Sequence, residues 1–379
     1  MREWTRGRWA VVAAFAVVFA LALGVSGCGS RSQPRPTPTA TATFTPAVPT
    51  PTNTATATRT PTATPRPSPT PTPDPNVNPL TGLSVADPSS LERPPILARI
   101  GNDAPIRPQA GLGAAEIVYE DIMDGWSVTR LTAIFLSEDP EVVGPIRSAR
   151  LVSIELANQY QGALVHSGAS DQVRWFISQE PFTNLDEFFH PRPFYYVDGL
   201  GWMGRLHTSA PAVREYLEAN GWNEPVSLRG FPFAEEPPKG EPAESIYIPY
   251  SGSAAVTFEF DKASETYLRW VSGVPHTDRI SGEQLAVSNV IVQFVEHQAT
   301  DIVEDSNGAT SIRMVMQGRG EAWILRDGVA IRGFWERAAK DEMTRFVDED
   351  GAEIPLKPGH TWVELAPPGY EIELSGGTD

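Results

Sequence analysis

The chain has 379 residues, 41% of them hydrophobic, which is enough for a substantial core. Its single cysteine excludes an internal disulfide and a thiolate metal site. Up to Pro75 there are seven basic and two acidic residues, which leaves 23 basic and 45 acidic residues, a net charge of −22, for the remainder. So acidic a region repels nucleic acid, and we expect no nucleic-acid partner.

Residues 1–27 are predicted to be a lipoprotein signal peptide. Three arginines in the first eight residues precede fifteen uncharged residues, 9–23, and small residues then lead to Cys28. This order is typical of secretory signal peptides, and the apolar run is shorter than the ~20 residues that span a bilayer. Val25-Ser-Gly-Cys28 resembles the lipobox. We therefore expect a diacylglyceryl group on Cys28 that anchors the chain to the cell membrane, facing outside the cytoplasm.

Residues 28–76 are predicted to form a disordered Thr/Pro-rich stalk. They consist almost entirely of Thr, Pro, Ala and Arg, with no residues from which a core could form. Proline removes backbone donors and favours polyproline II, so at ~3.1 Å per residue the stalk could reach about 150 Å. It either holds the folded part away from the membrane or serves as a slack tether.

Residues 77–230 alternate strand-like and helix-like patterns, which predicts an α/β N-terminal domain. Thr208 or Ser209 is suited to cap the second predicted helix, and Pro211 to lie in its first turn. The predicted strands cover residues 95–100, 116–119, 128–136 and 163–166, and the predicted helices cover 148–160 and 210–219.

Residues 231–245 contain four prolines without periodicity and are predicted to be a linker. After them, strand patterns dominate, with predicted strands at 255–260 and 266–271. Asp327-Gly328 and Asp350-Gly351 are dipeptides typical of hairpins. Residues 246–373 are therefore predicted to form a smaller, mostly β C-terminal domain.

A set of short motifs spans residues 78–365. They are Asn78-Pro-Leu-Thr-Gly-Leu83, Arg107-Pro-Gln-Ala-Gly-Leu112, Ala115-Glu-Ile-Val-Tyr-Glu120, Thr129-Arg130, Gly144-Pro-Ile-Arg-Ser-Ala-Arg150, His166-Ser-Gly-Ala-Ser170, Tyr267-Leu-Arg269, Gly273-Val-Pro-His-Thr-Asp278 and Asn289-Val290. Together they resemble the YerB-like lipoproteins, a bacterial family of unknown function with paired N- and C-terminal domains. The resemblance implies an α/β first domain, a smaller second domain and an extracytoplasmic lipid anchor. It implies no activity.

The segment 144–150 contains Arg147, Ser148 and Arg150, and it lies between a predicted strand and a predicted helix, with Arg107 and Arg130 upstream. A helix N-terminus offers free amides, and guanidinium groups hold phosphate or carboxylate through paired hydrogen bonds. These residues therefore predict a site for an anionic ligand. The alternative is that the arginines form internal ion pairs with the acidic residues Glu116, Glu120, Asp121 or Asp124.

His166 and Ser170 follow a predicted strand, which is a usual place for ligand-binding groups in α/β domains. His166 could act as a base and Ser167 or Ser170 as a nucleophile, but the chain has no Gly-x-Ser-x-Gly elbow. The alternative is a buried, hydrogen-bonded histidine.

In the second domain, His276 and Asp278 alternate along the chain, so both could face one side and bind a ligand or a cation. Two such groups do not make a metal site, and the sequence has no His-x-x-x-His spacing and no phosphate-binding glycine loop. We expect neither a metal nor a cofactor.

Three hypotheses follow for the function. The preferred one is a stalked envelope lipoprotein, more a binding protein than an enzyme, whose two domains bind a cell-wall component or a protein partner, with the arginines contacting an anionic group. The second is an enzyme that acts on a phosphorylated envelope glycan or lipid, with Arg130, Arg147 and Arg150 as a charge clamp. The third is an assembly factor or spacer that contacts another envelope protein.

Overall fold

The computed structural model of the protein describes residues 74–126, 128–250 and 252–376. The predicted signal peptide, Cys28 and residues 28–73 of the predicted stalk lie outside the described residues. No helix in the described part is both long enough and apolar enough to cross a membrane.

Residues 77–230 contain seven strands and, within the described part of the chain, all three α-helices. The strands are β1 (Ile96–Gly101), β2 (Ile117–Ile122), β3 (Thr129–Phe135), β4 (Ala163–His166), β5 (Asn184–Asp186), β6 (Phe194–Tyr196) and β7 (Leu206–Thr208). The helices are α1 (Leu151–Tyr160), α2 (Asp171–Ile177) and α3 (Ala210–Ala219).

From residue 231 onward the described chain forms strands, turns and one short 3-10 helix. The strands are β8 (Glu241–Pro242), β9 (Ser245–Ile248), β10 (Val256–Asp261), β11 (Thr266–Val271), β12 (Val274–Pro275), β13 (Ala286–Val287), β14 (Asn289–Phe294), β15 (Glu296–Val303), β16 (Thr310–Val315), β17 (Gly318–Arg326), β18 (Val329–Arg337), β19 (Arg345–Val347), β20 (Thr361–Ala366) and β21 (Glu373–Ser375).

One mixed sheet of eleven described strands runs through both halves of the folded chain. Its order is β19-β18-β17-β14-β20-β2-β3-β1-β4-β5, with β8 paired to β18. The two halves join at the parallel pair of β2 and β20, in which Ile117 lies opposite Thr361. The other parallel pairs are β14 with β20, β1 with β4 and β4 with β5. Backbone hydrogen bonds therefore connect residues that lie more than 200 positions apart.

A second sheet has the order β12-β11-β10-β9-β21, with β13 paired to β11. Phe258 of β10 packs edge-on against Trp362 of β20, with ring centroids 6.0 Å apart, so the two sheets share a core. Strands β15 and β16 form one hairpin, and β6 and β7 form another. These hairpins lie outside the two larger sheets.

The centre of the main sheet is buried on both faces. Strands β1, β2, β3 and β20 are buried along their whole length, and nine of the ten residues of α1 are buried. Strands buried on both faces are normally continuous apolar runs. These four strands also contain buried charged residues: Arg99, Glu120, Asp121, Arg130 and Glu364. The fold thus places ionisable groups in its centre.

The predicted fold class is correct in part. The mostly β second domain is confirmed, but α/β overstates the helical content of the first, in which three helices accompany a mixed sheet. Helix α3 has the predicted bounds, and Ser209 Oγ caps it by accepting from the Ala212 amide at 3.1 Å. The helix predicted from residue 148 begins only at Leu151, because Arg150 is still extended, at φ −137° and ψ 177°.

Candidate functional site

The predicted arginine cluster lies at the carboxyl ends of three neighbouring parallel strands. Strands β1, β4 and β5 end at Gly101, His166 and Asp186, and Arg130, near the start of the antiparallel strand β3, lies opposite Gly101. Ligand-binding groups gather at this edge of open sheets with parallel strands.

The segment 144–150 crosses this edge and is held by backbone hydrogen bonds. The Arg147 amide donates to the Arg99 carbonyl at 2.8 Å, and the Ser167 amide donates to the Arg147 carbonyl at 3.1 Å. The Ala149 amide donates to the Gly168 carbonyl at 2.8 Å. The structure thus brings the predicted arginine segment and the loop 166–170 together.

Arg130 is buried, with 5% of its surface exposed. One terminal nitrogen donates to the carbonyl oxygen of Ser148 at 2.8 Å, while its buried Nε has no hydrogen-bond partner. Burial lowers the pKa of Arg130 well below its ordinary value, and the neighbouring charges of Arg150, Arg99 and Arg147 lower it further. In the described part of the chain, Arg130 forms no ion pair. A buried cation without an acidic partner is unfavourable in the free protein.

Arg147 is half-buried, and its guanidinium makes no hydrogen bond or ion pair with any described residue. Its Nε is buried without a partner, and the guanidinium carbon lies 5.3 Å from the ring centroid of Trp202. Burial lowers the pKa of Arg147, and the charge of Asp103 partly opposes this. The donors of Arg147 are therefore available to an external acceptor.

Two other arginines of this edge do have acidic partners. Arg99 donates to both carboxylate oxygens of Asp121, at 2.6 and 3.1 Å, and Arg150 donates to both of Asp124, at 2.6 and 3.2 Å. Arg150 also lies 3.5 Å from Glu304. Burial opposes the charge of Arg150, but its hydrogen bonds to Asp124 and the nearby acids raise its pKa overall.

Internal ion pairing, the alternative reading of the cluster, thus applies to Arg150 and not to Arg130 or Arg147. Ser148 contributes its carbonyl oxygen to Arg130. Two guanidiniums without ion pairs, close enough for the charge of Arg147 to lower the pKa of Arg130, can together hold a phosphate or a carboxylate.

His166 is fully buried and lies beside this cluster. With its proton on Nε2, the ring donates to Asn184 Oδ1 at 2.6 Å, and Nδ1 accepts from the Gly168 amide at 3.1 Å. Burial lowers the pKa of His166, and the hydrogen bond to Asn184 partly opposes this. Ser170 caps α2, its Oγ accepting from the Val173 amide at 3.4 Å. Both side chains are therefore used in local hydrogen bonds.

Arg107 and His276 lie in a different group, where the two halves of the chain meet. Arg107 donates to the Asn102 side chain at 2.9 Å and to the Ser253 carbonyl at 2.8 Å. His276 accepts from Arg269 at Nδ1 and donates from Nε2 to Gln109 Oε1 at 2.6 Å. Both ring nitrogens of His276 are thus occupied.

Asp278 and His276 have different hydrogen-bond partners. Its carboxylate accepts from the Gly113 amide at 3.1 Å and the Ile280 amide at 2.8 Å. It also lines a cavity of about 590 Å³, together with Leu285 and His360. Among the described residues, no three His, Cys, Asp or Glu side chains are placed to hold a metal ion.

No motif in the sequence indicated the buried network around Glu120. This carboxylate accepts from Arg269, from Thr129 Oγ1 at 2.5 Å and from Asn102 at 3.1 Å. Glu364 lies opposite Glu120 in the pairing of β2 and β20 and accepts from Tyr250 at 2.8 Å. Burial and the charge of Glu120 raise the pKa of Glu364 well above its usual value, which favours its protonated form.

Arg205 and Trp202 lie in the hairpin of β6 and β7 and were not among the residues that the sequence motifs indicated. Trp202 is 72% exposed although it is a large aromatic residue. The density of aromatic residues between positions 188 and 202 was the available signal in the sequence.

The chain matches known protein families, and the matches include the arginine cluster and the group around Arg107 and His276. Residues 80–223 match the N-terminal domain, and residues 246–363 the C-terminal domain, of the family "Protein of unknown function (DUF3048)". Putative lipoprotein YerB of Bacillus subtilis (strain 168) is 29% identical over 309 residues, which are 79% of this chain and 88% of YerB. The chain belongs to the YerB-like family. This confirms the resemblance that the sequence motifs predicted.

The YerB-like fold is also known from experiment. The crystal structure of the YerB protein from Bacillus subtilis matches this chain with a TM-score of 0.69 and 27% identity, and the match covers 79% of this chain and 99% of that one. The segment 144–150 falls in the match to the N-terminal domain of the family, and Arg269 and His276 fall in the match to the C-terminal domain.

Proposed function

We propose that the chain is an extracytoplasmic lipoprotein, anchored to the cell membrane through diacylglyceryl-Cys28, that binds an anionic component of the cell envelope. The order of basic, apolar and small residues before Cys28 supports the anchor. The description of its relative YerB as a lipoprotein supports it as well. The Thr/Pro-rich stalk gives the folded part reach from the membrane.

One observation carries the binding function: Arg130 and Arg147, whose charges act on each other, have no ion-pair partner among the described residues, in a folded part whose net charge is −22. With acids in such excess, most arginines of the described part are paired. A phosphate or carboxylate would supply the missing acceptors through charge-assisted hydrogen bonds. The segment 144–150 leads directly into α1, and the N-terminus of a helix favours anions.

The second candidate function is an enzyme acting on a phosphorylated envelope glycan or lipid, and the same arginines support it as a charge clamp. It also needs a nucleophile or a base. His166 and Ser170 are both engaged in local hydrogen bonds, so binding is the better-supported function. Turnover of a lipid-linked phosphorylated substrate by the purified full chain, lost in Arg147→Ala, would reverse this preference.

Ligand-induced stabilisation of the full chain in detergent tests the proposal. The probes are peptidoglycan fragments and teichoic-type polymers, and a probe at 100 times its Kd raises the free energy of unfolding by about 2.7 kcal/mol. We expect this increase in the native chain and not in Arg147→Ala.

The matched control is Arg332→Ala. Arg332 also lies over a tryptophan ring, 4.1 Å from the centroid of Trp323, but it is paired with Glu241 at 2.6 Å. This variant should respond like the native chain. An equal response of Arg147→Ala would contradict the proposed site, and no response to any probe would favour an envelope protein partner instead.

A further inference from the structure

A hairpin rich in exposed aromatic residues borders the arginine site. It consists of β6, the loop 197–205 and β7, and we call it the aromatic hairpin. Tyr196 is 54% exposed and Trp202 is 72% exposed. The Ile146 amide donates to the Leu206 carbonyl at 2.7 Å, so the hairpin is bonded directly to the segment that carries Arg147.

The aromatic hairpin and the arginine segment together present alternating rings and cations. Arg147 lies 5.3 Å from the ring centroid of Trp202, and Arg205 lies 4.8 Å from that of Tyr196. Neither guanidinium has an ion pair with any of the described residues. The aromatic hairpin therefore carries two exposed rings, each with a guanidinium that has no ion pair among the described residues next to it.

The aromatic rings and the guanidiniums recognise different parts of a ligand. The π faces of aromatic rings carry partial negative charge and pack against the C–H faces of sugar rings, whereas the guanidiniums pair with phosphate or carboxylate groups. A neutral glycan would not engage the arginines, and a simple polyanion would not engage the rings.

We infer that the ligand is a glycan that carries phosphate or carboxylate groups, with its sugar rings on Trp202 and Tyr196 and its anionic groups at Arg147 and Arg205. This inference rests on the proposed function and adds the chemical class of the ligand. Single-stranded nucleic acid also stacks on aromatic rings and carries phosphates, and oligothymidylate is therefore included among the probes to distinguish it from a glycan.

Binding of three polymers to the full chain in detergent tests this inference. The probes are a glycosylated teichoic acid, linear polyphosphate and single-stranded oligothymidylate. The variants are Trp202→Ala and, as a control, Tyr247→Ala, which removes a 37% exposed ring from β9 of the second sheet. We expect Trp202→Ala to weaken teichoic acid binding by about tenfold and polyphosphate binding by less than about twofold. Trp202→Phe should restore most of the loss, and Tyr247→Ala should change neither affinity.

The other outcomes separate the inference from the proposed function. If Trp202→Ala weakens the binding of teichoic acid and of polyphosphate equally, the ring only positions Arg147. That result would overturn the inference that the ligand is a glycan, but it would leave the proposed anion site intact. Tighter binding of oligothymidylate than of teichoic acid would overturn the glycan in favour of nucleic acid. A native chain that binds none of the three polymers would overturn the proposed function as well.

Discussion

Replacing Arg130 should stabilise the free protein, which is the opposite of what most substitutions of buried residues do. Arg130 is 5% exposed, has no acidic partner among the described residues and leaves its Nε without a hydrogen bond. An unsatisfied buried donor costs about 1–3 kcal/mol, and a buried charge costs several kcal/mol. The hydrogen bond to the Ser148 carbonyl offsets about 1 kcal/mol of this cost. We therefore expect Arg130→Met to raise the free energy of unfolding by about 1–3 kcal/mol.

Arg150→Met is the matched comparison, because Arg150 lies in the same cluster but is paired. Its removal leaves Asp124 and Glu304, whose side chains are 8% and 0% exposed, without their cation. Breaking a buried pair in this way lowers the free energy of unfolding by about 3–5 kcal/mol. The two methionine variants should thus change the free energy of unfolding in opposite directions.

Urea unfolding of the full chain, followed by tryptophan fluorescence, measures both effects. A change in midpoint at constant slope reports a change in stability. If Arg130→Met lowers the midpoint as much as Arg150→Met does, the charge of Arg130 is compensated within the protein. The argument for an external anion would then be wrong.

Three further predictions concern the buried residues Glu364 and His276 and the close contact of Gly101 with Arg147. Burial and the charge of Glu120 raise the pKa of Glu364 well above its ordinary value of 4.5, so the folded state keeps a proton that the unfolded state loses. The free energy of unfolding should therefore fall by up to about 1.4 kcal/mol per pH unit above pH 4.5, and the difference from Glu364→Gln in urea midpoints across this range should show that slope. Burial, with Arg269 and Arg107, lowers the pKa of His276 well below 6.5, so the unfolded state binds the additional proton. Stability should fall as the pH drops below about 6.5, and His276→Gln should lose less stability than the native chain over the same acid titration. A Cβ at Gly101 would lie 2.7 Å from Cγ of Arg147, so Gly101→Ala should lower the free energy of unfolding by about 1–3 kcal/mol and weaken anion binding, measured by unfolding and by titration.

Local signals in the sequence predicted the elements whose stability depends on nearby residues. The cap at Ser209 and the proline at position 211 marked α3, and the dipeptide Asp327-Gly328 marked the turn between β17 and β18. The extended start of α1 was harder to predict, because Arg147 pairs with β1, which lies nearly 50 positions earlier. Such pairing leaves no local trace in the sequence.

In the candidate site, too, the sequence indicates the residues of a local motif but not their distant partners. Arg147 and Arg150 are three positions apart in one motif, but their difference depends on Asp124, which reaches only Arg150. His276 looked like a ligand-binding residue because its partner Gln109 is 167 positions away. The contact between His276 and Gln109 joins the two halves of the chain, and the strand patterns alone do not reveal which residues of the two halves meet.

Titration calorimetry of the full chain with pyrophosphate tests the central claim most directly, namely that Arg130 and Arg147 form an anion site. Charge-assisted hydrogen bonds to the two guanidiniums predict that Arg147→Ala binds pyrophosphate about tenfold or more weakly than the native chain, and that Arg332→Ala binds it equally well. The same affinity in all three proteins would show that the unpaired arginines do not bind the anion, and would contradict the account.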